Sequence, residues 1–287
     1  MAYIDTDAAP PAPPPISWLP FRTRLRDGTA VVLRRVSPRD AADAPTVAAM
    51  HALLNYELVV RGDSYPFPPR PLTREQFIAY FFARDAFALL KEDAGPAPSP
   101  ADALVGCFYI KPNYPYRSAH VCNAGFIVAR HMQRGRGAGE VMGRAFVVLA
   151  ADLGYRASMF NLVYATNKGS IRLWEKLGHF RRVSVIPGGG RVKRHPPADA
   201  GGQVSSSSTA AGSNAVGASP SSPGTVAATA IAADGEAVPA VAPAEEETVV
   251  VDAYQYYCDL RAAAPDMRAA LGLAPLPPLA AAAASKL

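Results

Sequence analysis

Hydrophobic and polar residues follow two periodicities along the chain, one typical of strands and one typical of helices. Apolar segments bounded by turn-forming residues predict strands at 30–36, 86–93, 103–112, 120–129, 158–166, 180–187 and 248–260. Apolar positions at helical spacing predict helices that begin near Pro45, Thr73, Gly139 and Asn167. The third and fourth strands are joined by a link short enough for antiparallel neighbours. The pattern therefore predicts an α/β fold.

Composition separates a folded domain from segments that cannot form a core. Residues 1–17 are rich in proline, and residues 197–247 contain no lysine, arginine or aromatic residue. Such segments bury too little apolar surface to offset the entropy lost on ordering, so we predict that both are disordered. We predict a single domain formed by 18–196 plus 248–262, with 197–247 as a low-complexity insertion. Residues 263–287 are predicted to be a flexible tail.

Charge and cysteine content exclude several classes of protein. The 287-residue chain has a net charge of +5 without a concentrated basic stripe, which disfavours nucleic-acid binding. Three cysteines without C-x-x-C spacing and five histidines without ligand spacing predict neither a disulfide framework nor a metal site. No apolar run is long enough for a membrane span. The tripeptide Ser285-Lys286-Leu287 matches the peroxisomal address, so we expect a peroxisomal or cytoplasmic location and the peroxisomal import receptor as a partner.

A turn rich in glycine and arginine lies between the fourth strand and the helix that follows it. Strand, turn and helix N-terminus together expose backbone N–H groups at the positive end of the helix dipole. The turn lacks the lysine of a P-loop, and it follows antiparallel strands rather than opening a parallel βαβ array. A flexible glycine turn is the alternative. We predict a phosphate or pyrophosphate site formed by Arg134, Gly135, Arg136, Gly137, Ala138 and Gly139.

These residues fit the R/Q-x-x-G-x-G/A signature, and the chain resembles the GNAT acetyltransferase superfamily. A second block, "NKGSIRLWEKLGHF", resembles the later strand–helix unit of that family, although His179 separates Gly178 from Phe180. The resemblance implies a GNAT (acyl-CoA N-acyltransferase) fold. Such a fold is a mixed, mostly antiparallel twisted sheet with a central splayed strand pair, flanked by helices. It also implies acetyl-CoA as the co-substrate, held at the glycine-rich turn.

A narrower resemblance covers residues 50–192 and, weakly, 249–260. Segments such as "GCFYIKPNYPYRSAHVCNAGFIV" are similar to fungal N-acetyltransferases that act on proline analogues, including azetidine-2-carboxylate. This resemblance implies a small cyclic secondary amino acid as acceptor and a homodimer. The turn "RGRGAG" is more glycine-rich than in the narrower group, so it does not favour the same acceptor.

The resemblance also implies roles for individual residues. Asn123 and Asn161 would lie on the two splayed strands and act as catalytic residues that hold the amino acid. An amide suits this task, because it offers two donors and an acceptor without a fixed charge. The implied cofactor contacts are the backbone of Ile127 and Val128, which would supply the oxyanion donor, and Asn167, which is also a predicted N-cap.

Two aromatic residues, Tyr65 and Phe67, are predicted to cover the acceptor. The general base stays open between His120, Tyr65, Tyr164 and a water held by Asn123 and Asn161.

Acetyl transfer to a small amine in a ternary complex is the leading prediction. The first alternative is a protein acetyltransferase that modifies lysine or N-termini, which would need an open groove for a peptide. The second alternative is a non-catalytic regulatory protein that binds CoA and recruits partners through its insertion.

Overall fold

A computed structural model describes residues 15–92, 99–133, 135–194, 230–231, 237–238 and 248–275. Most of the predicted N-terminal segment and of the 197–247 insertion lie outside these residues. So do Arg134 and the tripeptide Ser285-Lys286-Leu287.

One mixed sheet forms the centre of the molecule. Its strands are β1 (Phe21–Arg24), β2 (Ala30–Val36), β3 (Asp85–Lys91), β4 (Leu104–Pro112), β5 (Val121–Val128), β6 (Ala157–Tyr164), β7 (Phe180–Lys193) and β10 (Thr248–Asp259). Their order in the sheet is β1-β2-β3-β4-β5-β6-β10-β7. Neighbouring strands are antiparallel, except for the parallel pair β5–β6. The short strands β8 (Ala230–Ile231) and β9 (Ala237–Val238) pair with each other. The predicted mixed, mostly antiparallel sheet is confirmed.

Helices cover both faces of this sheet. They are α1 (Ala44–Tyr56), α2 (Arg74–Phe81), α3 (Pro100–Ala103), α4 (Ala138–Asp152), α5 (Lys168–Lys176) and α6 (Leu260–Ala270). On one face, buried residues of α4, α5 and α6 share a core with Phe108 of β4. On the other face, α1 and α2 pack against Cys107 and Ile127. The sheet therefore separates a face bearing α4–α6 from a face bearing α1 and α2.

Local capping fixes the helix ends that the sequence predicts. The Thr73 hydroxyl accepts from the N–H of Gln76, and the Gln76 side chain accepts from the N–H of Thr73, which completes a capping box at α2. At α5, the Asn167 side chain accepts from the N–H of Ser170 at 3.0 Å. Gly154, with a φ of 91°, follows α4 in the left-handed conformation that favours glycine.

The structure of the C-terminal part differs from two of the predictions. β7 extends to Lys193 instead of ending near residue 187, because its second half pairs with Thr248–Val251 of β10. A flexible tail from residue 263 is wrong for the first part of that segment, since α6 runs to Ala270. Ala263 and Met267 are buried in the core beside α4, and Arg268 pairs with Asp152 at 3.1 Å. Tertiary packing therefore stabilises this helix despite its internal Pro265.

Candidate functional site

The parallel strands β5 and β6 separate soon after they meet. Their register contains only the pairs Val121–Ala157 and Cys122–Ser158. Beyond Cys122, β5 keeps its pairing with β4 through Val128, while β6 pairs with β10. The predicted splayed strand pair is thus present, and it leaves a V-shaped gap that opens toward the start of α4.

The direction of each amide along β5 follows from the ladder with β4. The Asn113 N–H donates to the Val121 carbonyl at 2.8 Å, and the Ala129 N–H donates to the Val105 carbonyl at 3.0 Å. Residues of an antiparallel strand alternate in the side to which their amides point. The N–H of Ile127 therefore points toward β4, and that of Val128 points into the gap. Of the two predicted oxyanion donors, only Val128 has this orientation.

Three asparagines meet at the closed end of the gap. The side-chain oxygen Oδ1 of Asn113 accepts from the side-chain amide of Asn123 at 3.1 Å and from that of Asn161 at 2.6 Å. The Asn113 amide in turn donates to Asn161 Oδ1 at 3.0 Å. The structure therefore brings the two predicted catalytic asparagines together through Asn113, which is fully buried and which the sequence pattern does not identify.

Polar groups of Asn123 remain available at this cluster. An amide has two N–H donors and an acceptor oxygen, and the hydrogen bond to Asn113 uses one donor. The remaining carbonyl oxygen can accept from an amine, so the cluster suits a nitrogen nucleophile.

The segment that contains Tyr65 and Phe67 lies against β5 and α2. The Tyr65 hydroxyl donates to the gap-facing carbonyl of Phe126 at 3.4 Å. Phe67 packs edge-on against Tyr80 of α2, with ring centroids 4.8 Å apart. A groove of about 440 Å³ runs beside this contact and is lined by Phe67, Pro68, Arg70, Leu72, Gln76, Ala79 and Tyr80. These positions are compatible with the predicted cover over the acceptor.

The glycine-rich turn contains backbone conformations that favour glycine. Gly135 and Gly137 have φ values of 78° and 89°, in the region that other residues avoid. Gly137 is the N-cap of α4, and Ala138 is the first residue of that helix. A Cβ on Gly139 would lie 3.5 Å from Leu173. The turn thus presents the N-terminal amides of α4 without side chains at Gly135, Gly137 or Gly139 to cover them.

Charges around this turn differ in part from the prediction. The guanidinium of Arg136 donates to the carboxylate of Asp27 at 2.6 Å, so it does not point freely at a phosphate. Glu140, in the first turn of α4, contacts Arg26 and lies 2.6 Å from Arg144 and 2.8 Å from Lys176. Three cations thus surround the single carboxylate of Glu140, which leaves net positive charge beside the turn. Arg26 and Lys176 come from distant parts of the chain, so the sequence pattern does not identify them.

The side chain of Asn167 makes two contacts. Besides capping α5, its amide reaches the Ser64 hydroxyl at 3.4 Å, next to Tyr65. The residue therefore lies between the helix N-terminus and the segment over the gap.

Two of the candidate bases contact groups other than the three asparagines. His120 is exposed at the start of β5, and its ring contacts the Arg117 carbonyl at 3.1 Å. Tyr164 is buried with Val192 and Ala253. Burial raises the pKa of Tyr65 well above its ordinary value, so this phenol is a hydrogen-bond donor rather than a base at neutral pH.

Glu57 is a buried carboxyl that the sequence pattern does not identify. It begins a single π-helical turn, Glu57–Arg61, directly after α1, and only 6% of its surface is exposed. Burial raises its pKa to about 7, against the opposing effect of the Arg61 guanidinium at 3.6 Å. The charge of Glu57 also contributes to the raised pKa of Tyr65 and of Cys107, which places it near the segment over the gap.

Replacing Glu57 with glutamine should make the stability of the protein less dependent on pH. The folded-state pKa of about 7 lies above the ordinary 4.5, so the folded protein binds this proton more tightly than the unfolded chain. The associated stability is fully present below the unfolded pKa and is lost as pH rises toward 7, by about 3 kcal/mol. Urea unfolding at about pH 5 and about pH 8 measures the difference.

The matched control for this experiment is Glu75→Gln, an exposed carboxyl in the first turn of α2 with a lowered pKa. We expect Glu57→Gln, and not Glu75→Gln, to be more stable than the wild type at the higher pH. Equal pH dependence in the wild type and Glu57→Gln would contradict the raised pKa.

Within the described ranges, no helix is long and apolar enough to cross a membrane, and no group of three or more His, Cys, Asp or Glu residues could hold a metal ion. Cys107, Cys122 and Cys258 are buried free thiols.

Known proteins are similar to this chain in sequence or in fold. The acetyltransferase (GNAT) domain family matches residues 31–179. N-acetyltransferase aca1 of Schizosaccharomyces pombe is 40% identical over 151 residues, which cover 50% of this chain and 70% of that protein. Protein SPT10 of Saccharomyces cerevisiae is 40% identical over 89 residues, which cover 31% of this chain and 14% of that protein.

A solved GCN5-related N-acetyltransferase from Kribbella flavida shares the fold. It is 20% identical, with a TM-score of 0.51 over 80% of this chain and 97% of that chain. The family match covers the splayed strands, the glycine-rich turn and α5. The chain therefore belongs to the GNAT acetyltransferase family, and it is an N-acetyltransferase that uses acetyl-CoA.

Proposed function

We propose that this enzyme acetylates the nitrogen of a small amino-acid-like amine, with a proline analogue such as azetidine-2-carboxylate as the acceptor. The observation that carries the proposal is the cluster of Asn113, Asn123 and Asn161 at the closed end of the gap. Its uncharged amides can hold an amino group and a carboxylate at once. The transfer is direct, within a ternary complex.

The residues around the gap fit acetyl-CoA. The amides of Gly135–Gly139 and the N-terminus of α4 suit the pyrophosphate, with Arg26 and Lys176 nearby. The unpaired edge of β5 offers amides to the pantetheine arm. When bound, acetyl-CoA supplies the thioester whose carbonyl carbon is attacked.

The gap-facing N–H of Val128 is positioned to stabilise the negative charge that develops on the thioester oxygen. The acceptor nitrogen forms a bond to the carbonyl carbon, and the carbon–sulfur bond breaks to release a thiolate. The proton lost by the nitrogen passes to a water held by Asn123 and Asn161 and from there to solvent or to the thiolate. This assignment leaves Asn123 as the group that orients the nucleophile.

Aromatic residues beside the gap support a small acceptor. The Tyr65 hydroxyl contacts the gap-facing carbonyl of Phe126, and Phe67 packs against Tyr80, which supports a cover that would exclude a bulky substrate from the α1–α2 side of the gap. A peptide would need this cover to move, whereas a single amino acid would not.

Release of thiol from acetyl-CoA against a panel of acceptors tests the proposal. The panel contains azetidine-2-carboxylate, hydroxyproline, ordinary amino acids, polyamines and histone-tail peptides. We expect turnover on cyclic secondary amino acids, lowered at least about 100-fold in Asn161→Ala. Turnover on peptides would show a protein acetyltransferase instead, and acetyl-CoA binding without turnover on any acceptor would show a regulatory protein.

A further proposal concerns the oligomeric state. The edge strand β7 exposes Val183 and Val185, which supports a homodimer formed through this edge. Sedimentation of the full chain tests the homodimer, and a monomer at high concentration would contradict it.

Import into peroxisomes is proposed from Ser285-Lys286-Leu287 alone, and loss of peroxisomal fluorescence on deleting this tripeptide from a tagged chain tests it.

A further inference from the structure

Lys111 is a buried lysine beside the asparagine cluster. It lies in β4 directly opposite Asn123 of β5, and it is separated from Asn113 by one residue. These positions point to the same face of the sheet, because side chains alternate along a strand. Only 2% of Lys111 is exposed.

The surroundings of Lys111 contain no balancing negative charge in the part of the chain that the structure describes. Its ammonium donates to the Tyr80 carbonyl at 3.1 Å and lies 3.8 Å and 4.3 Å from the ring centroids of Tyr80 and Tyr109. Burial lowers the pKa of Lys111 to about 8, and no carboxylate opposes this shift. Arg268, another buried cation, is paired with Asp152. Buried charges are normally paired, so the position of Lys111 calls for an explanation.

A structural role explains part of this arrangement. Tyr80 is in the last turn of α2, where carbonyl groups lack helical partners, and a lysine there caps the helix. This contact uses one of the three N–H donors of the ammonium. It does not account for the alignment of the lysine with Asn123.

The aromatic walls around Lys111 are held in place by close packing. The hydroxyls of Tyr80 and Tyr109 are 2.7 Å apart. Tyr109 extends over Gly125 of β5, where a Cβ would come within 2.7 Å of its ring. The glycine therefore leaves room for a ring that keeps water from the lysine and strengthens its attraction for an anion.

We infer that Lys111 binds the carboxylate of the acceptor and thereby selects amino acids over amines that lack an acidic group. The inference rests on the proposed function and refines it. An α-amino acid carries its nitrogen and its carboxylate on one carbon. An acceptor whose nitrogen is held by Asn123 would place its carboxylate toward the neighbouring position on the same face, where Lys111 lies. Lys111 is thus a specificity-determining residue.

The test compares azetidine-2-carboxylate with azetidine, which lacks the carboxylate, in the wild type and in Lys111→Met. Methionine keeps an unbranched side chain and removes the charge. We expect the ratio of kcat/KM for the acid to kcat/KM for azetidine to fall at least about 100-fold in the variant. The KM for acetyl-CoA and the activity on azetidine should be retained. Lys91→Met, at the opposite end of the neighbouring strand β3, is the control and should keep the wild-type ratio.

A binding measurement accompanies the kinetics, with CoA present so that no transfer occurs. The acid should raise the unfolding temperature of the wild type and not that of Lys111→Met. An unchanged acceptor ratio in Lys111→Met would overturn the role of Lys111 alone. Equal losses on both acceptors, or a loss explained by a lower unfolding temperature, would overturn it in favour of helix capping. A wild-type enzyme that neither binds nor acetylates the acid, yet acetylates peptides or polyamines, would instead refute the proposed function.

Discussion

Replacing Asn113 with alanine is expected to lower kcat/KM for the acceptor at least about 100-fold, the size seen when one preorganised polar group is removed from an active site. The side-chain oxygen of Asn113 accepts from the side-chain amides of both Asn123 and Asn161, so its loss frees these two amides from their fixed orientation. The Kd for acetyl-CoA should not change, because the glycine-rich turn and Val128 are untouched. Steady-state kinetics and calorimetric titration of acetyl-CoA measure the two effects.

Asn55→Ala is the matched control for this variant. Asn55 is also buried and hydrogen-bonded, to His51 and to the backbone of Leu72, but it lies outside the asparagine cluster. Both substitutions remove a buried amide and should destabilise the fold by about 1–3 kcal/mol. Only Asn113→Ala should lose acceptor turnover. Equal loss of turnover in the two variants would mean that the asparagine cluster acts only through stability.

Replacing Gly137 with alanine is expected to weaken acetyl-CoA binding at least about 10-fold, which corresponds to about 1.4 kcal/mol. Gly137 has a φ of 89°, and a Cβ there would lie 3.2 Å from Cγ of Arg26. Relief of this strain would rotate the amides at the start of α4 away from the pyrophosphate. Titration of acetyl-CoA measures the change in Kd.

The same helix supplies the control. Gly154 follows α4 with a φ of 91°, and a Cβ there would meet nothing within 4 Å. Gly154→Ala should therefore impose a similar backbone strain of about 1–2 kcal/mol without touching the glycine-rich turn. Both variants should unfold at lower temperature, and only Gly137→Ala should bind acetyl-CoA more weakly. Unchanged affinity in Gly137→Ala would place the pyrophosphate elsewhere.

Periodicity and capping residues predicted most of the secondary structure. The ends of α2, α4 and α5 depend on residues within one turn, such as Thr73 and Asn167, so local sequence is enough to predict them. Helix α6 was missed because its stability comes from contacts with α4 that are distant in sequence. Pro265 argues against a helix when the segment is read without those contacts, because a proline inside a helix removes a backbone hydrogen bond, although the alanines around it favour helix.

The candidate site was predicted less completely than the fold. Asn123 and Asn161 were identified through a family resemblance, whereas Asn113 and Lys111 were not identified at all. Both of the missed residues depend on the register of β4 against β5, which pairs Lys111 with Asn123. The connection between these strands was visible in the sequence, but the turn geometry that sets their register was not. Glu57 was missed because its raised pKa follows from tertiary burial.

Amide hydrogen exchange along β5, with and without acetyl-CoA, tests most directly the claim that the donor lies between the splayed strands. NMR can resolve the individual amides of this strand. Binding should slow exchange at Phe126 and Val128, whose amides point into the gap. Exchange at Ile127, whose amide points toward β4, should change much less. Equal protection of all three amides, or protection confined to the groove beside α2, would contradict the account.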